Sequence, residues 1–191
     1  HIIENLNGVN YKISPKSFFQ TNSEQARFLY SKAMEMAEIS GNETVYDLYT
    51  GTGSIALYFA TKCKKVVGIE QIAEAIEDAK ENAILNNLDN ADFYVGNVED
   101  MFTTDFIAKN GAPDILVTDP PRAGMHPRVI EVLSVAKPPR IVYISCNPVT
   151  QARDIALLSD IYAVKKVLPV DMFPQTFHVE NIAVLELKNT L

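Results

Sequence analysis

Ser145-Cys146-Asn147-Pro148 places a thiol where an apolar strand gives way to a helix. Asn147 suits an N-cap and Pro148 the first helical position. A helix N-terminus favours negative charge, so the sequence predicts a Cys146 thiol with a lowered pKa, an activated nucleophile. The competing reading is a buried core cysteine, which the tetrapeptide alone does not exclude. Cys63 lies between Lys62 and Lys64 near a helix end and reads as structural. Two further groups carry acid–base chemistry. Asp119-Pro120-Pro121-Arg122 directly follows the apolar run Ile115–Thr118, so Asp119 sits beyond the carboxyl end of a strand, where open α/β sheets hold ligands. The prolines fix that loop, and Arg122 offers a forked donor to a base carbonyl or a phosphate. Glu180, in the run Phe173–Glu180, is a candidate general base, with His178 as its rival. A solvated loop carboxylate and a packed loop histidine are the plainer alternatives.

A cofactor site is legible around Asp47-Leu48-Tyr49-Thr50-Gly51-Thr52-Gly53-Ser54. Gly51 and Gly53 permit a tight strand-to-helix turn and close approach to a ligand. Glu70, 17 residues after Gly53, ends the next strand and can accept two ribose hydroxyls. Gly51-x-Gly53-x-x-Ala56 also satisfies a dinucleotide fingerprint. Asp47, placed to receive a cationic amino-acid tail, and Asn97, placed for an adenine edge, favour S-adenosylmethionine over a nicotinamide cofactor. Phe18-Phe19-Gln20-Thr21-Asn22 precedes the first helix; Asn22 reads as its cap and Gln20 as a candidate ligand contact.

Apolar strands alternate with amphipathic helices. A hairpin over residues 1–14 turns at Asn7-Gly8, and a helix covers 22–39. Strands are expected at Thr44–Tyr49, Lys65–Glu70, Ala91–Asn97, Asp114–Asp119 and Ile141–Cys146, with a helix over 71–88 and another starting near Pro148. Two final strands, Tyr162–Val170 and Asn181–Lys188, have only a loop between them. The expectation is a single α/β domain over 1–191. Its doubly wound, mostly parallel sheet has about seven strands and a terminal antiparallel strand, and residues 1–40 pack on it as hairpin and helix.

The 191 residues are 47% hydrophobic and 21% charged, which excludes disorder, and no apolar run is long enough to span a membrane. Two dissimilar cysteines make neither a disulfide framework nor a metal cluster and suit a reducing cytoplasm. The net charge of −7 is unusual for an RNA-binding chain. With a first residue that is not Met, it suggests a fragment of a longer protein with weak RNA affinity of its own.

Taken together and in order, Phe18-Phe19-Gln20, Asp47-Leu48-Tyr49-Thr50-Gly51-Thr52-Gly53, Asp119-Pro120-Pro121-Arg122, Ser145-Cys146-Asn147-Pro148 and Asp171-Met172-Phe173-Pro174…His178-Val179-Glu180 resemble the RNA uracil-C5 methyltransferases, over nearly the whole chain. The resemblance implies a Rossmann-like class I S-adenosylmethionine-dependent methyltransferase. It implies Cys146 as the nucleophile that adds to carbon 6 of a uridine flipped out of rRNA or tRNA, and Glu180 as the base that removes the carbon-5 proton. Gln20, Tyr49, Ser54, Glu70, Asn97 and Asp119 would line the cofactor and uracil pocket. Thr50, Asn97 and Gln175 depart from residues common in that family. Three other readings stay open: a methyltransferase for an exocyclic amine, which needs no cysteine; a non-catalytic S-adenosylmethionine- or RNA-binding module; and a nicotinamide-dependent oxidoreductase.

Overall fold

Asn7 and Gly8 both adopt positive φ, 53° and 88°, and turn the chain between β1 (Ile2–Leu6) and β2 (Val9–Ile13). The structure, a computed structural model, describes residues 1–14 and 19–188, so Phe18 lies outside the described residues. Helix α1 (Ser23–Ala37) begins at Asn22, whose side chain accepts the Gln25 N–H. The chain continues through β3 (Thr44–Leu48), α2 (Ser54–Ala60), β4 (Lys65–Glu70), α3 (Ala73–Leu85) and β5 (Ala91–Val95). Then come α4 (Val98–Met101), α5 (Thr104–Asn110), β6 (Ile115–Thr118), α6 (Pro127–Ala136) and β7 (Arg140–Ser145). Helix α7 (Pro148–Leu157) precedes the closing strands β8 (Tyr162–Val170) and β9 (Glu180–Leu187).

Seven strands form one sheet in the order β5-β4-β3-β6-β7-β9-β8. The pairs from β5 to β7 are parallel, and β9 runs antiparallel to both β7 and β8. Successive strand residues face opposite sides, and both sides are covered. Val45, Val66, Val117 and Val142 pack with α1, α2 and α3 on one face, whereas Tyr46, Val67, Leu116 and Ile141 pack with α4, α5 and α6 on the other. The N-terminal hairpin sits on α3: Asn82 accepts the Lys12 N–H at 2.7 Å and Asn86 accepts the Asn10 N–H at 2.8 Å. Tyr11 is fully buried, and its hydroxyl donates to the Ser54 carbonyl at 2.8 Å.

Strands β3, β4 and β5 grow outward in one direction, and the chain then crosses back to place β6 on the other side of β3. That reversal opens a crevice beyond the carboxyl ends of β3 and β6, where doubly wound sheets bind ligands. Strand β3 ends one residue before the expected Tyr49, because Tyr49 takes a left-handed φ of 66°. Helices α4, α5 and α6 were not expected from the sequence.

Candidate functional site

The carboxyl ends of β3, β4, β6 and β7 open into one cavity of about 1280 Å³. Small-molecule sites typically occupy ~300–1,000 Å³, so this one has room for a cofactor and a second group. Tyr49, Gly51, Glu70, Asp119, Arg122, Cys146 and Glu180 all contribute to its wall, joined by Gln20 from the segment before α1.

The cofactor half is built by backbone geometry. Gly51 and Gly53 have φ of 55° and 76°, a region costly for side-chain-bearing residues. A Cβ on Gly51 would meet nothing within 4 Å, whereas one on Gly53 would press on Ala79 and Phe93 at 3.1 Å. The first glycine therefore keeps the cavity wall low, and the second lets the turn pack on α3 and β5. Glu70 is held at both oxygens: the Gly51 N–H donates to Oε2 at 3.1 Å and the Ile72 N–H to Oε1 at 3.0 Å. Each carboxylate oxygen keeps a further lone pair for a ligand hydroxyl. Asp47 is buried at the base of this turn. One oxygen accepts the Thr50 hydroxyl at 2.6 Å, and Oδ1 has no hydrogen-bond partner among the described residues. Burial, with the nearby Glu70 charge, pushes the Asp47 carboxyl up to about 7.

The reactive half is built by strand register. Ser145 pairs with Asn181 across β7 and β9, so the next step beyond the ladder brings Cys146 opposite Glu180. Asn147 caps α7 through the Val149 N–H at 3.1 Å and also donates to the Arg122 carbonyl at 3.1 Å. Thr150 donates to the same carbonyl at 3.1 Å. The Asp119–Arg122 loop is thereby fastened to the helix that starts beside the thiol. The Arg122 guanidinium lies 3.0 and 3.3 Å from the two ring nitrogens of His178.

Cys146 departs from the expected lowered pKa. Its thiol is raised, first by burial and next by the charge of Glu180, with Asp119 adding and Arg122 opposing. Two carboxylates and a half-buried position outweigh the favourable helix terminus. Burial likewise raises Glu180, against the pull of Arg122. It raises Asp119 well above the usual carboxylate range, helped by repulsion from Glu180 and Asp47. Cys63 is buried as expected, and burial lifts its thiol to about 11.

Not every residue singled out in the sequence reaches the cavity wall. Ser54 meets the Tyr30 hydroxyl at 3.1 Å, and Asn97 turns its amide to Asp100 at 3.3 Å. Gly53 and Asp47 lie behind the wall, which near Asn97 is made by Val98 and Glu99. Conversely, Met125 and His126 line the cavity without any signal of chemistry in the sequence, and Phe173, quoted only as part of a motif, lines it as well. His126 caps α6 by accepting the Arg128 N–H, a role that the following Pro127 at the first helical position signals in retrospect.

The strand order and the crevice are those of a Rossmann-like class I methyltransferase, and solved structures share them. The chain superposes on a tRNA (uracil-54, C5)-methyltransferase from Pyrococcus abyssi, solved with S-adenosyl-L-homocysteine, with a TM-score of 0.86 and 41% identity. That match covers 96% of this chain and 44% of the other. A precorrin-6y C5,15-methyltransferase from Geobacter metallireducens shares the fold alone, at 13% identity and a TM-score of 0.69, over 92% of this chain and 93% of the other. The chain belongs to the tRNA (uracil-5-)-methyltransferase family, whose model matches residues 3–188. It is 56% identical over 188 residues to an uncharacterised RNA methyltransferase of Bacteroides thetaiotaomicron, covering 98% of this chain and 41% of that protein. With an uncharacterised RNA methyltransferase of Staphylococcus aureus it shares 48% identity over 187 residues, again 98% of this chain and 41% of the relative. The chain thus spans about two fifths of the length of these curated relatives.

Proposed function

We propose that this chain is the catalytic part of a methyltransferase that uses S-adenosylmethionine to methylate carbon 5 of a uridine in tRNA or rRNA. The observation that carries the reading is the placement of Cys146 and Glu180 across the β7–β9 register, on the wall of the cavity that Gly51 and Glu70 also line. The residues present fit the cofactor. Glu70 is oriented to accept ribose hydroxyls, Gly51 leaves room beside it, and the unpartnered Asp47 Oδ1 supplies negative potential under the turn. Val98 and Glu99, rather than the Asn97 side chain, border the place for the adenine. Bound S-adenosylmethionine supplies an electrophilic methyl group.

Carbon 5 of uracil is too weak a nucleophile to take that methyl unaided. Attack of the Cys146 thiolate on carbon 6 forms a carbon–sulfur bond and pushes an electron pair onto carbon 5 and the carbonyl at carbon 4. Arg122 stands where a cation stabilises that enolate, and it also favours the thiolate. After carbon 5 is alkylated, Glu180 removes its proton, the double bond re-forms and the Cys146 thiolate leaves. Burial that raises Glu180 makes it a stronger base when ionised. Asp119, also raised, has a proton to donate to the uracil edge. The uridine must leave its stack to reach the cavity, which single-stranded loops permit most readily. No helix among the described residues is long and apolar enough to cross a membrane, and the free thiols of Cys63 and Cys146 suit a reducing cytoplasm.

The test uses the full-length protein and total RNA from cells that lack it, labelled with tritium at carbon 5 of uridine. Carbon-5 methylation releases one tritium per methyl group transferred and yields 5-methyluridine on nucleoside analysis. Methyl transfer without tritium release would place the methyl elsewhere and refute the reading.

A further inference from the structure

Phe177 exposes 90% of its surface. A lone exposed aromatic needs no special explanation, but Phe177 ends a row of flat groups that begins inside the cavity. Arg122 lines the cavity, its guanidinium rests against the nitrogen-bearing side of the His178 ring, and that ring lies 4.2 Å from the Phe177 ring centroid. Glu180, three residues after Phe177, is back on the cavity wall. The row therefore leads from the cavity wall to open solvent across two neighbouring loops, the one after β6 and the one between β8 and β9.

The geometry points to a stacking platform: Phe177, backed by His178 and Arg122, takes the unpaired base of the nucleotide next to the flipped uridine. The inference rests on the RNA reading above and adds the residue that grips the neighbouring nucleotide. Bases present a π-face whatever their sequence, and aromatic side chains and arginine planes are the groups that proteins stack against them. The chemistry of the surroundings agrees. A chain of net charge −7 gains little general attraction for phosphate, so a stacking contact that needs no charge is a suitable hold at this rim. His178 also braces the loop from below: its N–H donates to the Thr176 hydroxyl at 3.2 Å, and Thr176 donates to the Phe173 carbonyl at 2.9 Å. The ring of Phe177 is thus presented by a structured turn.

The test compares Phe177→Ala and Phe177→Trp with the wild type in the full-length protein. Methyl transfer from labelled S-adenosylmethionine is followed against the concentration of total RNA from cells lacking the protein. Loss of base stacking on alanine substitution corresponds to a rise of about tenfold in the half-saturating RNA concentration. Phe177→Ala should show that rise with S-adenosylmethionine affinity unchanged by calorimetry, and Phe177→Trp should restore the wild-type value. A half-saturating RNA concentration within twofold of wild type in Phe177→Ala, or a tryptophan variant no better than alanine, overturns the platform while leaving the methyltransferase reading intact. Failure of the wild type itself to methylate any RNA removes the reading and the platform with it.

Discussion

Gln151 and Asn181 exchange hydrogen bonds in the buried seam between α7 and β9: the Asn181 amide donates to Gln151 Oε1 at 2.5 Å, and the Gln151 amide donates to the Asn181 carbonyl at 3.2 Å. The same Gln151 amide reaches the Tyr143 carbonyl of β7 at 2.8 Å. One side chain thus locks together the helix that begins beside Cys146 and the strand that begins at Glu180. Gln151→Leu removes the lock and leaves the Asn181 amide buried without its acceptor. The expected cost is ~1–3 kcal/mol of stability, read by urea denaturation. At temperatures where the variant is folded, methyl transfer at saturating substrates should fall at least tenfold, with little change in S-adenosylmethionine affinity.

Asp154 performs the matching task for the loop after β6. It is buried, and its Oδ2 accepts the Met125 N–H at 2.8 Å and the Tyr143 hydroxyl at 2.7 Å. Arg153 pairs with the other oxygen and reaches the Ala123 carbonyl at 2.8 Å. Gly124 has φ of 84°, and a Cβ there would lie 2.5 Å from Asp154 Oδ2. Asp154→Ala should cost ~1–3 kcal/mol, because it leaves the buried Tyr143 hydroxyl and the Met125 N–H without their acceptor. Gly124→Ala should also lower Tm, by several degrees, and reduce turnover, since the loop carrying Asp119 and Arg122 must move. A Gly124→Ala enzyme with wild-type Tm and turnover would show that the loop is not held as described.

These anchors also mark where the sequence stopped being informative. The parallel strands were legible because buried parallel strands are short, continuous apolar runs, and Lys65–Glu70 matches the structure at both ends; so does Tyr162–Val170, an antiparallel edge strand. Cys146, Glu180, Asp119 and Glu70 were legible because each ends or begins such a run. Helices α4 and α5 were missed because they have four and seven residues, too short for helical periodicity to stand out. The hidden parts of the site depend on contacts distant in sequence. Gln151 and Asp154 read as ordinary helix residues until β9 and the 120–126 loop pack on them. The raised Cys146 thiol follows from burial by the packed fold and from Glu180 and Asp119, 34 and 27 residues away in the chain. Nothing local in the sequence announces the left-handed Tyr49.

Asp47 gives a pH signature of stability. Its folded carboxyl titrates at about 7, above the ordinary aspartate value, so the folded state holds the proton more tightly than the unfolded state. This contribution is fully present below about pH 4 and is lost as pH rises through about 7. Removing the charge with Asp47→Asn should therefore leave stability near pH 4 little changed and raise it at pH 8 by ~2–4 kcal/mol. Urea titrations at the two pH values check this. If Asp47 also supports the cationic tail of S-adenosylmethionine, the same variant binds that cofactor more weakly at pH 8 despite its greater stability.

If Cys146 forms the proposed adduct, its raised thiol sets the pH dependence of that step. On the proposed mechanism, in which the thiolate attacks carbon 6, the rate of covalent addition should climb with pH through the neutral range and level off above the ordinary thiol value, not below it. Arg122→Ala removes the group that favours the thiolate, so the plateau should move to higher pH and the rate at pH 7 should fall. Stopped-time quenching of adduct against pH reads both effects. A plateau already reached at pH 6 would mean that burial and the carboxylates do not raise the thiol.

The covalent role of Cys146 is the central claim, and trapping tests it most directly. The full-length protein is mixed with S-adenosylmethionine and RNA transcribed with 5-fluorouridine, and the products are separated on a denaturing gel and mapped by mass spectrometry. Fluorine cannot leave as the carbon-5 proton does, so a stable RNA–protein adduct at Cys146, absent in Cys146→Ala, is expected. Methyl transfer to RNA that persists in Cys146→Ala, with no adduct in the wild type, would contradict it and point to methylation of an exocyclic amine.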